Sequence, residues 1–196
     1  MTSEKGVLQV GDGRGFHVGD FVLTAAHCLP PLPPPFHGIE ELTCKKLIGR
    51  LNQEPTVTAE LAFADPVSDL AILCEPKHPD LFCECRAYRE LLEAADSFTI
   101  AGVDVEVDEE FAAKVLLLNR NDWVTGVAKL HYCGAWLLLK EPITVGGMSG
   151  SPVLDDKDNA IGVVTSGIEG GGAAAEGWSS NCRLMHSLPR WFPVSG

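Results

Sequence analysis

Apolar residues in this chain come in short runs, and glycine, proline and aspartate break them at short intervals. Val7-Leu8-Gln9-Val10 is followed by a turn signal at Gly11-Asp12-Gly13. Gly15-Phe16-His17-Val18 comes next, then a second turn at Gly19-Asp20, then Phe21-Val22-Leu23. The pattern predicts strand, turn, strand, turn, strand. Further strands are expected over Leu42–Leu51, Thr56–Phe63, Leu70–Leu73, Ser97–Ile100, Ala113–Leu118, Val124–Tyr132, Ala135–Leu139, Val153–Leu154 and Ile161–Thr165. Asn119 to Asp122 has the character of a hairpin turn. One stretch departs from this pattern. Ala87, Tyr88, Leu91, Leu92 and Ala95 fall at helical spacing, which predicts a short amphipathic helix over Arg86–Ala95.

Several segments have two readings. Pro30–Pro35 (PPLPPP) cannot donate to a ladder, so it is either a rigid loop or a polyproline ligand. Gly167–Gly177 is rich in glycine and alanine, and reads either as a substrate-gating loop or as a solvated surface loop. His17 reads as a strand residue with a satisfied side chain.

The chemistry sits at three places. Gly146-Gly147-Met148-Ser149-Gly150-Ser151-Pro152 sets a serine among glycines at a tight turn. Glycine reaches positive φ at little cost, so the backbone N–H groups of Gly147 and Ser149 can be aimed at one point. The same heptapeptide could also be an ordinary turn between strands. Upstream, Thr24-Ala25-Ala26-His27-Cys28 places a histidine after an apolar run, and Val67-Ser68-Asp69 places an acid before Leu70-Ala71-Ile72-Leu73. A serine hydroxyl needs an imidazole to take its proton and a carboxylate to orient that imidazole. Asp65 is a competing acid, but Asp65-Pro66 has the character of a turn.

TAAHC, SDLAIL and GMSGSPV together resemble the trypsin/chymotrypsin superfamily of serine peptidases, in its order of His, then Asp, then Ser. The segments lie between residues 16 and 167, most of the chain of 196. The resemblance implies an all-β fold of two six-stranded antiparallel barrels, with a short linker helix and a C-terminal helix over Leu184–Phe192. The expected division is 1–85 for the barrel carrying His27 and Asp69, 86–96 for the linker helix, and 97–196 for the barrel carrying Ser149. It implies a serine endopeptidase with Ser149 as nucleophile, His27 as base and then acid, Asp69 as orienter, and an oxyanion hole at Gly147 and Ser149. The implied pocket has Ile143 and Thr144 at its base and Thr165, Ser166 and Gly167 on its wall. No acid lies between Pro142 and Pro152, and Val164 stands where relatives that cut after Glu carry a histidine. A small or medium apolar side chain is therefore expected before the scissile bond. Met148 stands where many secreted relatives carry an aspartate that pairs with a new N-terminal amine. Activation without cleavage is therefore expected.

Composition narrows the setting. A net charge of −12, with no clustered Lys or Arg, argues against nucleic acid and anionic membrane surfaces as partners. A protein or peptide substrate is the expected partner, with a regulatory protein as a further candidate. Seven cysteines cannot all pair within one chain, and Asp12–Val18 holds no cysteine to bridge Cys28 as in secreted relatives. With no leader or membrane span evident, these features point to a reducing, cytoplasmic setting. Cys74, His78, Cys83 and Cys85 gather in the expected barrel connection. Some viral proteases of this fold hold a structural zinc there through Cys-x-Cys, so Cys83 and Cys85 are zinc candidates, with Cys74 and His78 or His131 and Cys133 completing four ligands. Free thiols are the alternative, and the proposed hydrolysis itself requires no cofactor. A binding module without turnover, or a partner-switched protease subunit, are the other functional classes.

Overall fold

The computed structural model describes residues 4–31, 44–78, 80–116, 122–131, 134, 136–140, 147–165, 177–185, 188, 189 and 192. Twelve strands occur among them, in two closed antiparallel barrels of six. The first contains β1 (Val7–Val10), β2 (Gly13–Val18), β3 (Phe21–Thr24), β4 (Cys44–Arg50), β5 (Val57–Asp65) and β6 (Leu70–Cys74), in the order β1-β2-β3-β6-β5-β4. The helix α1 (Phe82–Glu93) comes next. The second contains β7 (Glu110–Leu116), β8 (Trp123–Leu130), β9 (Trp136–Lys140), β10 (Pro152–Leu154), β11 (Ala160–Val164) and β12 (Trp178–Leu184), in the order β10-β11-β12-β9-β8-β7. Pairing of β1 with β4 and of β10 with β7 closes the two rings. Among the described residues, closure leaves neither barrel with an edge strand.

The two-residue period of a strand sorts side chains into three cores. In β3, Val22 enters the first barrel while Leu23 faces the second. In β6, Ala71 and Leu73 go inward while Leu70 and Ile72 go to the seam. Phe16, Val18, Leu23, Leu70 and Ile72 of the first barrel meet Leu154, Ala160 and Val163 of the second in one buried cluster. This two-sided demand explains why β2, β6 and β11 are buried along their whole length. The second barrel fills with Val115, Leu137, Leu139, Met148, Val153, Ile161 and Leu184, among others.

Three expectations need correction. Helix α1 begins at Phe82, four residues before the expected Arg86, so the boundary drawn at 85/86 falls inside it. Its buried face is Cys85, Tyr88 and Leu92, whereas Phe82 is 68% exposed, so the one large apolar side chain of the first turn lies off the buried face. Ser97–Ile100 is no strand and makes a single bridge, Ile100 to Ala160. It works as a strap along the seam: Phe98 N donates to His17 O (2.8 Å), and Ala160 N to Thr99 O (2.7 Å). β12 was not expected, because Trp178-Ser179-Ser180-Asn181-Cys182-Arg183-Leu184 is too polar to read as a barrel strand. Most of Pro30–Pro35, the Asn119–Asp122 turn and the C-terminal helix lies outside the described residues. Leu188 and Phe192 are described, and both join the seam, with Phe192 against Phe21 of the first barrel at 5.3 Å between ring centres.

Tyr88 fastens α1 to the first barrel. It is 1% exposed, and its hydroxyl lies 3.1 Å from Asp20 O and 3.3 Å from Leu73 O. Tyr88→Phe is expected to cost about 1 kcal/mol of unfolding free energy, the usual net worth of one hydrogen bond. Tyr88→Ala, which also empties the space of the ring, is expected to cost about 3–5 kcal/mol. Urea unfolding followed by circular dichroism measures both.

Candidate active site

β3 carries the chain out of the first core and hands it to a single 3-10 turn, Ala26–Cys28. Ala25 and Cys28 are buried on either side, so His27 between them points outward, with a side chain 40% exposed. Asp69 lies at the mouth of β6, which pairs with β3. Its backbone has φ +55°, the left-handed region, which a non-glycine residue enters at roughly 1 kcal/mol and which aspartate tolerates better than most. That conformation serves three contacts at once. Asp69 O accepts Ala26 N–H (3.1 Å), its Oδ1 accepts His27 N–H (3.0 Å), and its Oδ2 accepts the His27 ring Nδ1–H (2.7 Å). The carboxylate accepts only, so the proton on neutral His27 sits on Nδ1 and Nε2 carries the lone pair.

Ser149 arrives from the other barrel. Gly147 (φ +88°) and Gly150 (φ +82°) bend the chain on either side of it. Met148, fully buried, plugs the second core. Gly150 N donates to Val164 O (2.6 Å), Val164 N to Ser151 O (2.8 Å) and Ser151 N to Met148 O (3.0 Å), which fastens the turn to β11. The turn then crosses the seam, where Arg14 N of β2 donates to Ser149 O at 2.8 Å. A Cβ on Gly13 would lie 2.9 Å from Ser149 O and 2.4 Å from Cys28 Sγ. One glycine therefore touches both the serine and the neighbour of the histidine, and only a residue without a side chain fits between them. The partners of the His27 ring are Asp69 and the Cys28 thiol (4.0 Å from Nε2). A Ser149–His27 hydrogen bond is not among the described contacts. Such bonds commonly tighten only when substrate arrives.

Arg14 is a residue that sequence reasoning passed over. It is 1% exposed, its Nη1 donates to Leu116 O of β7 (2.9 Å), and its own carbonyl accepts the Thr24 hydroxyl (2.6 Å). The available signal was a charged residue between Gly13 and Gly15 in a run that is otherwise strand-like. Burial disfavours the guanidinium charge.

Asp65, the competing acid, does not reach His27. Its Oδ1 accepts Val67 N–H (2.9 Å), and the Ser68 hydroxyl beside it holds it below the usual carboxylate range. Of the expected pocket, Thr165 is described and buried, while Ile143, Thr144, Ser166 and Gly167 lie outside the described residues, as does nearly all of the 167–177 loop. Cys74, His78 and Cys85 line one cavity beside α1. Cys83 is exposed, Cys85 is buried with Sγ 2.9 Å from Pro76 O, and Cys133 lies outside the described residues. His78 is engaged with Asp80. Among the described residues no three His, Cys, Asp or Glu side chains are placed to hold a metal. Burial pushes the Cys28 thiol up to about 11, which makes it a poor nucleophile beside the site. No helix among the described residues is long and apolar enough to cross a membrane.

No protein-family model and no curated protein matches the chain at the level of sequence. Solved structures do match it in fold. The serine protease of a human pathogenic astrovirus is 16% identical, with 98% of this chain and 96% of that one covered and a TM-score of 0.55. The active form of the Rv3671c protease of M. tuberculosis is 16% identical, with 92% and 76% covered and a TM-score of 0.55. A serine endoprotease of Yersinia pestis is 14% identical, with 95% and 60% covered and a TM-score of 0.52. All three are proteases, and with them this chain shares the chymotrypsin-like double-barrel fold.

Gly150 gives a direct test of how tightly the turn is held. A Cβ there would lie 1.7 Å from Arg14 O and 2.6 Å from Thr24 Oγ1, on a backbone already at φ +82°. Gly150→Ala is expected to cost about 3 kcal/mol or more, through backbone strain and displacement of the turn. Thermal melting compared with Ser151→Ala, at a site with room for the smaller side chain, measures the difference.

Proposed function

We propose that this protein is a serine endopeptidase in which Ser149, His27 and Asp69 act together. The observation that carries the reading is the His27–Asp69 pair, with Nδ1 2.7 Å from the carboxylate and Nε2 left as an acceptor, at the seam where the Ser149 turn is docked by Arg14. In this reading His27 Nε2 takes the proton of the Ser149 hydroxyl as its oxygen attacks the substrate carbonyl. Asp69 keeps the ring in the required tautomer and stabilises the imidazolium. The N–H groups of Gly147 and Ser149 receive the charge that forms on the carbonyl oxygen. The carbon–nitrogen bond then breaks, and the leaving amine takes its proton from His27. Water, activated by the same imidazole, hydrolyses the acyl-enzyme and frees Ser149. No cofactor enters this sequence of steps.

Met148 supports a site that assembles without proteolytic activation, since its thioether is buried in the second core where an activating ion pair would need a carboxylate. The triad is expected to behave as one unit. Ser149→Ala and His27→Ala are each expected to lower kcat by roughly 10⁴- to 10⁶-fold, and the double variant to be little worse than either. Asp69→Asn is expected to lose about 10⁴-fold through the wrong tautomer. The measurement is peptide hydrolysis together with fluorophosphonate labelling of Ser149, with and without cell extract. Labelling of the isolated protein supports the endopeptidase, and labelling only with extract points to partner control. No labelling under either condition favours a binding module.

The specificity reading rests on the residues around the turn. No acid lies between Pro142 and Pro152, so that stretch offers no carboxylate to offset the desolvation of a substrate lysine or arginine. A pocket based on Ile143 and Thr144 and walled by Thr165, Ser166 and Gly167 would take an apolar side chain. Discrimination would be modest, since one methylene is worth about 1–3 kcal/mol. Cleavage of a mixed peptide library is expected to spread over Ala, Val, Leu and Met before the scissile bond. A dominant preference for a charged residue there rejects the assignment.

A further inference from the structure

Asp69 belongs to the first barrel, yet the loop that presents it is gripped from the second. β12 alternates so that Cys182 and Leu184 fill the second core, which turns Arg183 to the opposite side. Its ladder neighbours are Val163, which is buried in the seam with Leu70, and Trp136. The guanidinium lies over the Trp136 ring, 4.6 Å from its centre. From there Nη2 reaches the Ser68 hydroxyl of the first barrel at 3.4 Å. Ser68 is 7% exposed and directly precedes Asp69, itself 9% exposed.

The same short loop is folded back on itself. Val67 N–H and the Ser68 hydroxyl both engage the Asp65 carboxylate, which the nearby charge of Arg183 also favours in its ionised form. Val67, at the tip, is 87% exposed, so burial of its side chain does not fix the loop. Asp69, where the loop enters β6, has φ +55°, a left-handed conformation that persists only where its surroundings impose it. Relaxation of that residue would turn its carbonyl and carboxylate away from Ala26 N–H, His27 N–H and His27 Nδ1 together.

We propose that Arg183, seated on Trp136 and bonded to Ser68, is a positioning residue that holds Asp69 in its left-handed conformation and thereby orients His27. The guanidinium suits the task because it is planar, stacks on an aromatic ring and still has N–H groups to donate from its edge. Lysine keeps the charge but not the stacked fork. The link also makes placement of the acid depend on docking of the two barrels, the same docking that brings Ser149 to the seam. The role assigned to His27 and Asp69 rests on the serine endopeptidase reading; the mechanical link does not.

Hydrogen exchange at the amides of Ala26 and His27 tests the link without any turnover, because both donate to Asp69. In Arg183→Gln, exchange at these two amides is expected to rise about tenfold or more, while Ala113 and Val115 in the second core keep their rates. Arg183→Lys is expected to recover less than half of the loss. Ser68→Ala, which removes the Arg183 acceptor together with the hydroxyl donor to Asp65, is expected to raise exchange about threefold, and Arg183→Lys decides the matter if Arg183→Gln does not fold. Unchanged exchange in the folded variants overturns the proposal. The second readout is the rate of fluorophosphonate labelling of Ser149. It is expected to fall about tenfold in Arg183→Gln, with the Arg183→Gln/Ser68→Ala pair no slower than the slower single variant. If wild type itself does not label, the endopeptidase reading fails, and the exchange rates still decide whether Arg183 holds Asp69.

Discussion

A backbone hydrogen bond across the seam, from Arg14 N to Ser149 O at 2.8 Å, is the contact on which the site depends. Each barrel closes on its own hydrogen bonds, so neither needs the other to satisfy its ladder. The groups of the proposed triad are nevertheless divided between them, His27 and Asp69 on the first and Ser149 on the second. Their relation is only as exact as the docking. The apolar seam of Phe16, Leu70, Ile72, Leu154 and Val163 supplies attraction but little direction. Direction comes from the polar contacts laid over it. Arg14 is fixed at three points, by Ser149 O, by the Thr24 hydroxyl and by Leu116 O, and these involve both barrels.

Arg14 also shows what that direction costs. A guanidinium at 1% exposure loses its hydration, and a well-packed apolar side chain would cost less in bulk stability. What an apolar residue cannot do is reach across the seam and satisfy the carbonyl at the end of β7. The glycines on either side make the same trade in another form. Gly13 and Gly150 give up side-chain burial so that two backbones can approach to hydrogen-bonding distance. The weight of the site is thus carried by groups that a stability ranking of residue types would place last.

The parts of this architecture that were legible in sequence are those written in local patterns. Strands with one apolar face and glycine or proline at their ends could be read from the two-residue period, and the three motifs carried His27, Asp69 and Ser149. β12 was not legible, because its inward positions are Cys182 and Leu184 among Ser, Asn and Arg, and pairing with β9 and β11 decides its state. Ser97–Ile100 has a strand-like composition but lies in the seam, where bonds to His17 and Ala160 hold it as a strap. The start of α1 was hidden because Phe82, apolar in sequence, faces solvent. Arg14 and Arg183 were missed for a common reason. Each acts across the two barrels, at separations of 102 and 115 residues, and no local pattern records such a partner.

The Gly13–Cys28 contact shows how the turn beneath His27 is held without a bridge. Cys28 is a free thiol, and Gly13 occupies the strand position facing it, with Cys28 Sγ 2.4 Å from where a Cβ would be. A second side chain there would strike both Cys28 and Ser149 O. The sulfur instead fills the space as a small apolar group, 5% exposed. Its burial disfavours the thiolate and so protects it from oxidation and alkylation. The turn is fixed by hydrogen bonds in place of a covalent link: Cys28 N to Ala25 O, Leu29 N to Ala26 O, and the pair from Ala26 and His27 to Asp69. Every one of these uses a main-chain donor, which leaves the His27 imidazole to Asp69 at Nδ1 and, in the proposed reaction, to proton transfer at Nε2.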